Sequence, residues 1–90
     1  MMRSGVKFSL LYAKGITKDL EKIPKADKQK IKESIEHLVD FPQVSSIKHL
    51  DNHPLADFRL RVGNYRVLFD VDFTQEKILI LKIGHRKDIY

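Results

Sequence analysis

The chain has 90 residues, a formal net charge of +5 and a sequence pI of about 9.6. This length predicts one domain, spanning residues 1–90, and excludes a second core. The absence of cysteine excludes disulfides and cysteine-based metal sites, and it is compatible with the cytoplasm, where we expect the protein to act. A pI above about 9 is typical of small domains that bind nucleic acid; an acidic protein or an anionic membrane would satisfy the same charge. No apolar run approaches the ~18 residues of a membrane span and no signal peptide is evident, so we expect no membrane partner.

The first quarter of the chain predicts a strand followed by a short helix. Apolar side chains alternate in Val6–Tyr12, and Gly15 breaks the pattern. We expect Thr17 to cap the N-terminus of the helix and Asp19 to lie in its first turn, where a negative charge is favoured. Pro24 ends this helix or begins the next. The buried side of the helix is predicted from apolar residues at helical spacing: Ile16, Leu20 and Ile23.

A second, longer helix is predicted from Lys25 to about Asp40. Its apolar residues fall at i, i+4, i+7 and i+8 and form one stripe: Ile31, Ile35, Leu38 and Val39. A basic amphipathic helix can also lie on a membrane surface. This stripe is aliphatic and narrow, which favours a helix that packs on a sheet. Phe41-Pro42 is expected to end the helix.

The second half of the chain predicts three or four strands. Alternating apolar residues in Phe58–Val62 and Tyr65–Asp72 indicate two half-buried strands. The aliphatic run Lys77–Ile83 suits a central strand covered on both faces and ended by Gly84, and Ile47–Leu50 is a further short extended segment. This order predicts an α+β fold in which two helices from the N-terminal half pack on one face of a small, mostly antiparallel sheet.

The loop Gly63-Asn64 between two of these strands predicts their pairing. Glycine at the first central position of a two-residue loop suits a type II′ turn, because that position needs a positive φ. The turn places Arg61 opposite Arg66, with Arg59 two residues along the same strand. Like charges that face each other are destabilising, so we expect an anionic partner, either an intramolecular carboxylate or a phosphate. Because the helices cover the apolar face, we expect the arginine face to be open.

The segment after the last strand carries three residues with chemical potential: His85, Arg86 and Tyr90. They are explained equally well as the polar end of a strand. Histidine, arginine and tyrosine are also able to cleave RNA without a metal, because RNA supplies its own 2′-hydroxyl nucleophile. The four histidines are scattered and predict no metal site, and no phosphate-binding glycine loop is present. We therefore expect no metal and no cofactor.

The segments Phe58–Arg66 and Gly84–Tyr90, taken together at this spacing, resemble the RelE toxins of the RelE/ParE superfamily. Known members are bacterial and archaeal toxins of toxin–antitoxin pairs that enter the ribosomal A site and cut the mRNA there. The resemblance implies a ribosome-dependent, metal-independent mRNA endoribonuclease. It also implies three partners, namely the ribosome, mRNA and an acidic antitoxin encoded by a neighbouring gene.

The resemblance implies site residues as well. The positions that match the family are Arg61, Arg66, Arg86 and Tyr90, which we expect to be catalytic, and Arg59, a further basic position that we expect to bind substrate. His85 joins the predicted catalytic residues through its own chemistry, and Lys48 is expected to be at most a contact to substrate or ribosomal RNA. Some relatives have lysine where this chain has Arg59 and Arg61. Because arginine stays charged, it is a poor proton acceptor, and the proton-transfer role falls to His85 or Tyr90.

Two other functions stay open at this point. The ParE branch of the superfamily shares the fold and inhibits DNA gyrase without cleaving RNA; the pair Arg86 and Tyr90 argues against it. A non-enzymatic module that binds RNA or protein would need only the positive charge.

Overall fold

The computed structural model describes residues 7–89. In this range, helix α1 (Ile16–Glu21) is followed by helix α2 (Lys25–Glu36), which a 3-10 turn, His37–Asp40, extends. One sheet contains the strands β1 (Ser9–Tyr12), β2 (Ile47–His49), β3 (Phe58–Val62), β4 (Tyr65–Asp72) and β5 (Lys77–His85). The strand order is β1-β5-β4-β3-β2; β1 runs parallel to β5 and the other neighbours are antiparallel. The predicted α+β fold is confirmed.

The first helix begins earlier than predicted. Its N-cap is Gly15, so the prediction of a Thr17 cap was wrong. Backbone bonds start the helix instead: the amide of Ile16 donates to the carbonyl of Ala13 over 3.1 Å, and the amide of Asp19 donates to the carbonyl of Gly15 over 3.1 Å. Asp19 lies in the first turn, as expected.

The carboxylate of Asp19 ties this helix to the sheet. β1 ends at Tyr12, so β5 has no strand partner on that side beyond Ile80. There the amide of Ile83 donates to Oδ2 of Asp19 over 3.0 Å, and Nζ of Lys82 lies 3.7 Å from Oδ1. Asp19 therefore satisfies an amide at the open edge of a central strand.

One main core lies between the helices and the sheet. The predicted stripe is buried where α2 and the 3-10 turn meet the sheet, with Ile31, Ile35 and Leu38 at 2% exposure or less. The facing sheet surface contributes residues from β3, β4 and β5 to the same cluster: Phe58, Leu60, Tyr65, Val67, Phe69, Ile78, Ile80 and Ile83. The predicted assignment of the apolar face is confirmed. No helix in residues 7–89 has the length and apolar content to cross a membrane.

The opposite face of the sheet is not fully open, and that prediction was wrong in part. A second, smaller cluster buries Leu68, Ala56 and Ile89, with Leu50 and Leu81 packed against them. The alternation in β4 placed Leu68 on the polar side of the strand, and the sequence pattern indicated no apolar residue that would pack against it. Apart from Leu81 on β5, its partners come from segments outside the strands, which no strand periodicity can place.

The end of β5 also differs from the prediction. Gly84 does not end the strand; it is paired with Arg66, and the strand continues to His85. A register shift interrupts the β4–β5 ladder, since Phe69 is paired with Ile80 whereas Leu68 is paired with Lys82. One residue of β5 is thus left unpaired, and the side chains beyond it change faces.

Candidate functional site

The β3–β4 hairpin positions two arginines side by side. Gly63 has a φ of +57° and Asn64 has no positive φ, as a type II′ turn requires. Arg61 is paired directly with Arg66, which is the predicted register.

The short strand β2 adds a second pair of like charges. Lys48 is paired with Arg59, which lies two residues before Arg61 on β3. Paired residues project from the same face, and so does every second residue along a strand. Lys48, Arg59, Arg61 and Arg66 therefore share the face opposite the helices, which we call the basic face.

The basic face has no internal counter-charge in the part of the chain that the structure describes. Its four cations have no carboxylate within 4.0 Å; the ion pairs in residues 7–89 join other residues. Asp70, on the same strand as Arg66, instead accepts a hydrogen bond at Oδ1 from the amide of Asp57 over 2.7 Å. Of the two partners expected from the sequence, the intramolecular carboxylate is not found among residues 7–89.

The three arginines of the basic face differ in how they are held. Nη1 of Arg66 donates to the carbonyls of Gly63 and Tyr65 over 2.8 and 2.9 Å, which fixes its guanidinium at the hairpin turn. Nε of Arg59 is buried and has no hydrogen-bond partner in residues 7–89. Arg61 is exposed to solvent. An unsatisfied buried donor is costly, so this nitrogen lowers the stability of the fold.

A turn after β5 brings Arg86 to the same end of the sheet. The amide of Arg86 donates to the carbonyl of Asn64 over 2.8 Å, which joins this turn to the β3–β4 hairpin. Gly84, two positions before Arg86, is paired with Arg66. The side chain of Arg86 is exposed. The backbone of Arg86 thus lies beside the hairpin that carries Arg61 and Arg66.

His85 lies on the other side of the sheet. It is paired with Tyr65, which faces the main core, and the two rings are 5.6 Å apart in an edge-to-face arrangement. The register shift in the β4–β5 ladder produces this orientation, because without it His85 would project from the face of Arg61. Its Nδ1 accepts a hydrogen bond from the amide of Lys87 over 3.2 Å, so the neutral ring carries its proton on Nε2.

The structure therefore brings together only some of the residues that the sequence suggested. Lys48, Arg59, Arg61 and Arg66 share one face, and Arg86 lies at its end. His85 is separated from them by the sheet. Tyr90 lies outside the described residues. Sequence reasoning missed the apolar contact of Leu68 with Ile89 in the middle of this face; the one available signal was a leucine among the polar positions of β4.

A separate groove of about 610 Å³ lies between the helices and the end of β1. Its apolar floor is flanked by Lys14, Lys28 and Lys32, and Tyr12 lies on its rim. Burial, and secondarily the charge of Glu36, raises the pKa of Tyr12 above its usual 10.0. Residues 7–89 contain no group of three or more histidine or carboxylate side chains placed to hold a metal ion.

Known proteins are similar to this chain over nearly its whole length. The family model described as the ParE toxin of the type II toxin–antitoxin system parDE matches residues 10–90. The toxin RelE3 of Methanocaldococcus jannaschii is 33% identical over 85 residues, which are 90% of this chain and 93% of RelE3. RelE1 of the same archaeon is 33% identical over 88 residues, covering 94% of this chain and 97% of RelE1.

Solved structures with the same fold include chains of toxin–antitoxin complexes and a free toxin. A chain of the RelBE2 complex from Mycobacterium tuberculosis has a TM-score of 0.77 and 26% identity, covering 90% of this chain and all of that one (100%). A chain of the RelB–RelE complex from Methanococcus jannaschii has a TM-score of 0.70 and 31% identity, with 89% and 94% covered. Free RelE from E. coli, at 16% identity and a TM-score of 0.68, shares the fold; 90% of this chain and 85% of that chain are covered.

Proposed function

We propose that this chain, which belongs to the RelE/ParE superfamily of toxins from type II toxin–antitoxin systems, is a ribosome-dependent endoribonuclease that cleaves mRNA in the ribosomal A site. The observation that carries the proposal is the basic face, where four cations are neighbours in the sheet and have no carboxylate within 4.0 Å among the described residues. Arginine binds a phosphate group through two parallel hydrogen bonds. RNA supplies a row of such phosphates.

The reaction we propose uses the nucleophile that RNA carries. The 2′-hydroxyl oxygen of one nucleotide forms a bond to the adjacent phosphorus, and the bond from phosphorus to the 5′ oxygen breaks. A base takes the hydroxyl proton and an acid protonates the leaving oxygen. No metal is needed to generate this nucleophile. The products are a 2′,3′-cyclic phosphate and a free 5′-hydroxyl.

The arginines have distinct proposed roles in this reaction. Arg61 and Arg66 face each other, so both can contact one phosphate. The guanidinium of Arg66 is already fixed by two backbone carbonyls and is suited to stabilise charge that develops on the phosphate oxygens. Arg86 would complete this cluster from the turn after β5. Arg59 and Lys48 lie further along the same face and would hold a neighbouring phosphate.

Proton transfer is assigned to Tyr90, with His85 as the alternative. Histidine is a common proton carrier in enzymes, but the ring of His85 lies on the helix side of the sheet, next to Tyr65. Tyr90 follows the turn that carries Arg86 in the sequence, and the family resemblance gives it a catalytic position. The His85→Gln and Tyr90→Phe variants distinguish the two assignments.

Dependence on the ribosome is proposed because no strand residue in the range 7–89 places an aromatic ring on the basic face. Single-stranded RNA is usually ordered by bases that stack on exposed aromatic rings. Among the aromatic residues of the described strands, Phe58, Tyr65 and Phe69 belong to the main core. Tyr12 is paired with the buried Ile80 and lines the groove beside the helices, away from the basic face. Contacts to phosphate alone fix neither the register nor the conformation of the RNA. We therefore propose that the ribosome presents the mRNA in a cleavable conformation.

The partner that restrains the toxin is proposed to be an acidic antitoxin encoded by the neighbouring gene. The solved relatives include complexes of RelE with RelB antitoxins. This chain has a net charge of +5, so an acidic segment that covers Arg61 and Arg66 or displaces Tyr90 would block the site. Co-expression with the neighbouring gene should give a stable complex of lower net charge. If no neighbouring product binds, this partner assignment is wrong.

The activity is tested by comparing two forms of one mRNA. We expect efficient cleavage when the mRNA is bound to a ribosome with an empty A site and little cleavage when it is free in solution. Equal rates on both would contradict ribosome dependence. The matching family model carries the name of ParE, so inhibition of gyrase supercoiling is measured in parallel. Gyrase inhibition without mRNA cleavage would assign the chain to that branch.

A further inference from the structure

An apolar contact interrupts the basic face. Leu68 is fully buried although it stands on that face, where its strand partners are Arg59 on β3 and Lys82 on β5. Part of its cover is Ile89, whose side chain is only 4% exposed. Ile89 belongs to the turn after β5, so an apolar contact joins this turn to the sheet on a face that is otherwise charged.

The turn that delivers Ile89 is held by three backbone hydrogen bonds. The amides of Asp88 and Ile89 both donate to the carbonyl of His85, over 2.8 and 3.1 Å. The amide of Arg86 donates to the carbonyl of Asn64 over 2.8 Å. Backbone hydrogen bonds in a turn at the protein surface are readily replaced by hydrogen bonds to water. On their own they would leave the turn open for part of the time.

Ile89 is the buried side chain of this turn. Arg86, Lys87 and Asp88 are all exposed, whereas Ile89 packs over Gly84. A Cβ on Gly84 would lie 3.6 Å from Cβ of Ile89, which is ordinary van der Waals contact. Because Gly84 is the strand partner of Arg66, the side chain of Ile89 lies on the basic face beside Arg66.

We propose that Ile89 is a positioning residue that holds the turn against the basic face and so fixes Arg86 relative to Arg66. The proposal rests on the proposed nuclease function, and it assigns Ile89 no contact with RNA. Burial of one aliphatic side chain keeps the turn closed, and the closed turn keeps Arg86 within reach of the phosphate that Arg66 binds.

The test compares Ile89→Ala with Ile89→Val and with Leu20→Ala. Leu20 is a partly buried residue of α1 that packs on the main core, so its truncation perturbs stability without touching the turn. On ribosomes with an empty A site, we expect Ile89→Ala to lower kcat on the order of tenfold to a hundredfold, as misplaced catalytic groups do. KM for the ribosome should stay within about twofold, because Lys48, Arg59, Arg61 and Arg66 are untouched. Ile89→Val should recover most of the rate, and Leu20→Ala should keep the parental kcat.

A second measurement separates this proposal from the proposed function. Amide relaxation by NMR reports the order of Arg86 and Asp88 without any substrate. The order parameters should fall from about 0.85 to below about 0.6 in Ile89→Ala and stay high in Leu20→Ala. A turn that stays ordered in Ile89→Ala would show that Ile89 is not the anchor. A disordered turn with parental kcat would show that the anchor does not position Arg86. A parental protein that cuts no mRNA would overturn the nuclease assignment itself, and the positioning role with it.

Discussion

Replacing Arg66 with alanine is the substitution that separates the chemistry of the basic face from its stability. Nη1 of Arg66 makes hydrogen bonds to the carbonyls of Gly63 and Tyr65, of which the first is exposed and the second is partly buried. Each such bond contributes roughly 0.5–1.5 kcal/mol to folding. The substitution also relieves the pairing of like charges with Arg61, which costs up to about 1 kcal/mol.

These contributions oppose each other, so the net loss of stability lies between about 0 and 3 kcal/mol. The free energy of unfolding of a domain of this size is about 5–15 kcal/mol. Arg66→Ala should therefore remain folded. Urea unfolding gives the free energy directly. A much larger loss would mean that Arg66 is chiefly a structural residue.

The expected effect on catalysis is larger than the effect on folding. Loss of one preorganised donor to a developing anion costs on the order of 10²–10³ in rate, or about 2.7–4 kcal/mol. Single-turnover cleavage of ribosome-bound mRNA measures this loss. Arg66→Lys is the matched control, because it keeps the charge and loses the planar pair of donors. We expect Arg66→Lys to fall between the parent and Arg66→Ala; a parental rate in both variants would refute the assigned role.

Further substitutions test the remaining assignments. Tyr90→Phe should lower single-turnover cleavage by about 10²–10⁴ if it carries a proton, without weakening ribosome binding at high salt. His85→Gln should lose less than about tenfold, since a larger loss would be typical of an acid or base; such a loss would return the proton-transfer role to His85. Asp19→Ala should destabilise the fold by about 1–3 kcal/mol in urea unfolding, because the amide of Ile83 loses its acceptor; Asp19→Asn, which keeps an acceptor oxygen, should lose less. The raised pKa of Tyr12 means that its phenol keeps its proton to a higher pH in the folded state than in the unfolded chain. The contribution of this proton to the free energy of unfolding is therefore fully present below about pH 10 and is lost as the pH rises above it. In thermal unfolding at alkaline pH, the melting temperature of Tyr12→Phe should fall less than that of the parental protein.

The local parts of this fold were predictable from the sequence. Gly63 allows the positive φ of the hairpin turn, and the alternation on either side of it sets Arg61 opposite Arg66. The apolar stripe of α2 likewise identified which face of the sheet it would cover. Each of these features depends on residues that are neighbours in sequence, so one short pattern carries the information.

The features that were missed depend on distant contacts or on a one-residue change of register. The cover of Leu68 comes from Ala56, Leu50 and Ile89, which are brought together only by the finished fold. The face on which His85 lies depends on the irregular pairing next to Leu68, because a slip of one residue turns every later side chain of β5 over. The aliphatic run of β5 has no alternation that would reveal such a slip.

One measurement tests the central claim most directly. The parental protein and an Arg61→Ala/Arg66→Ala double variant are each mixed with the same mRNA, either free or on a ribosome with an empty A site. The single-turnover rate of cleavage is then determined. The account predicts rapid cleavage by the parent on the ribosome, little cleavage of free mRNA, and a loss of at least about 10² in the double variant. A double variant that cuts ribosome-bound mRNA as fast as the parent would show that the basic face is not the active site.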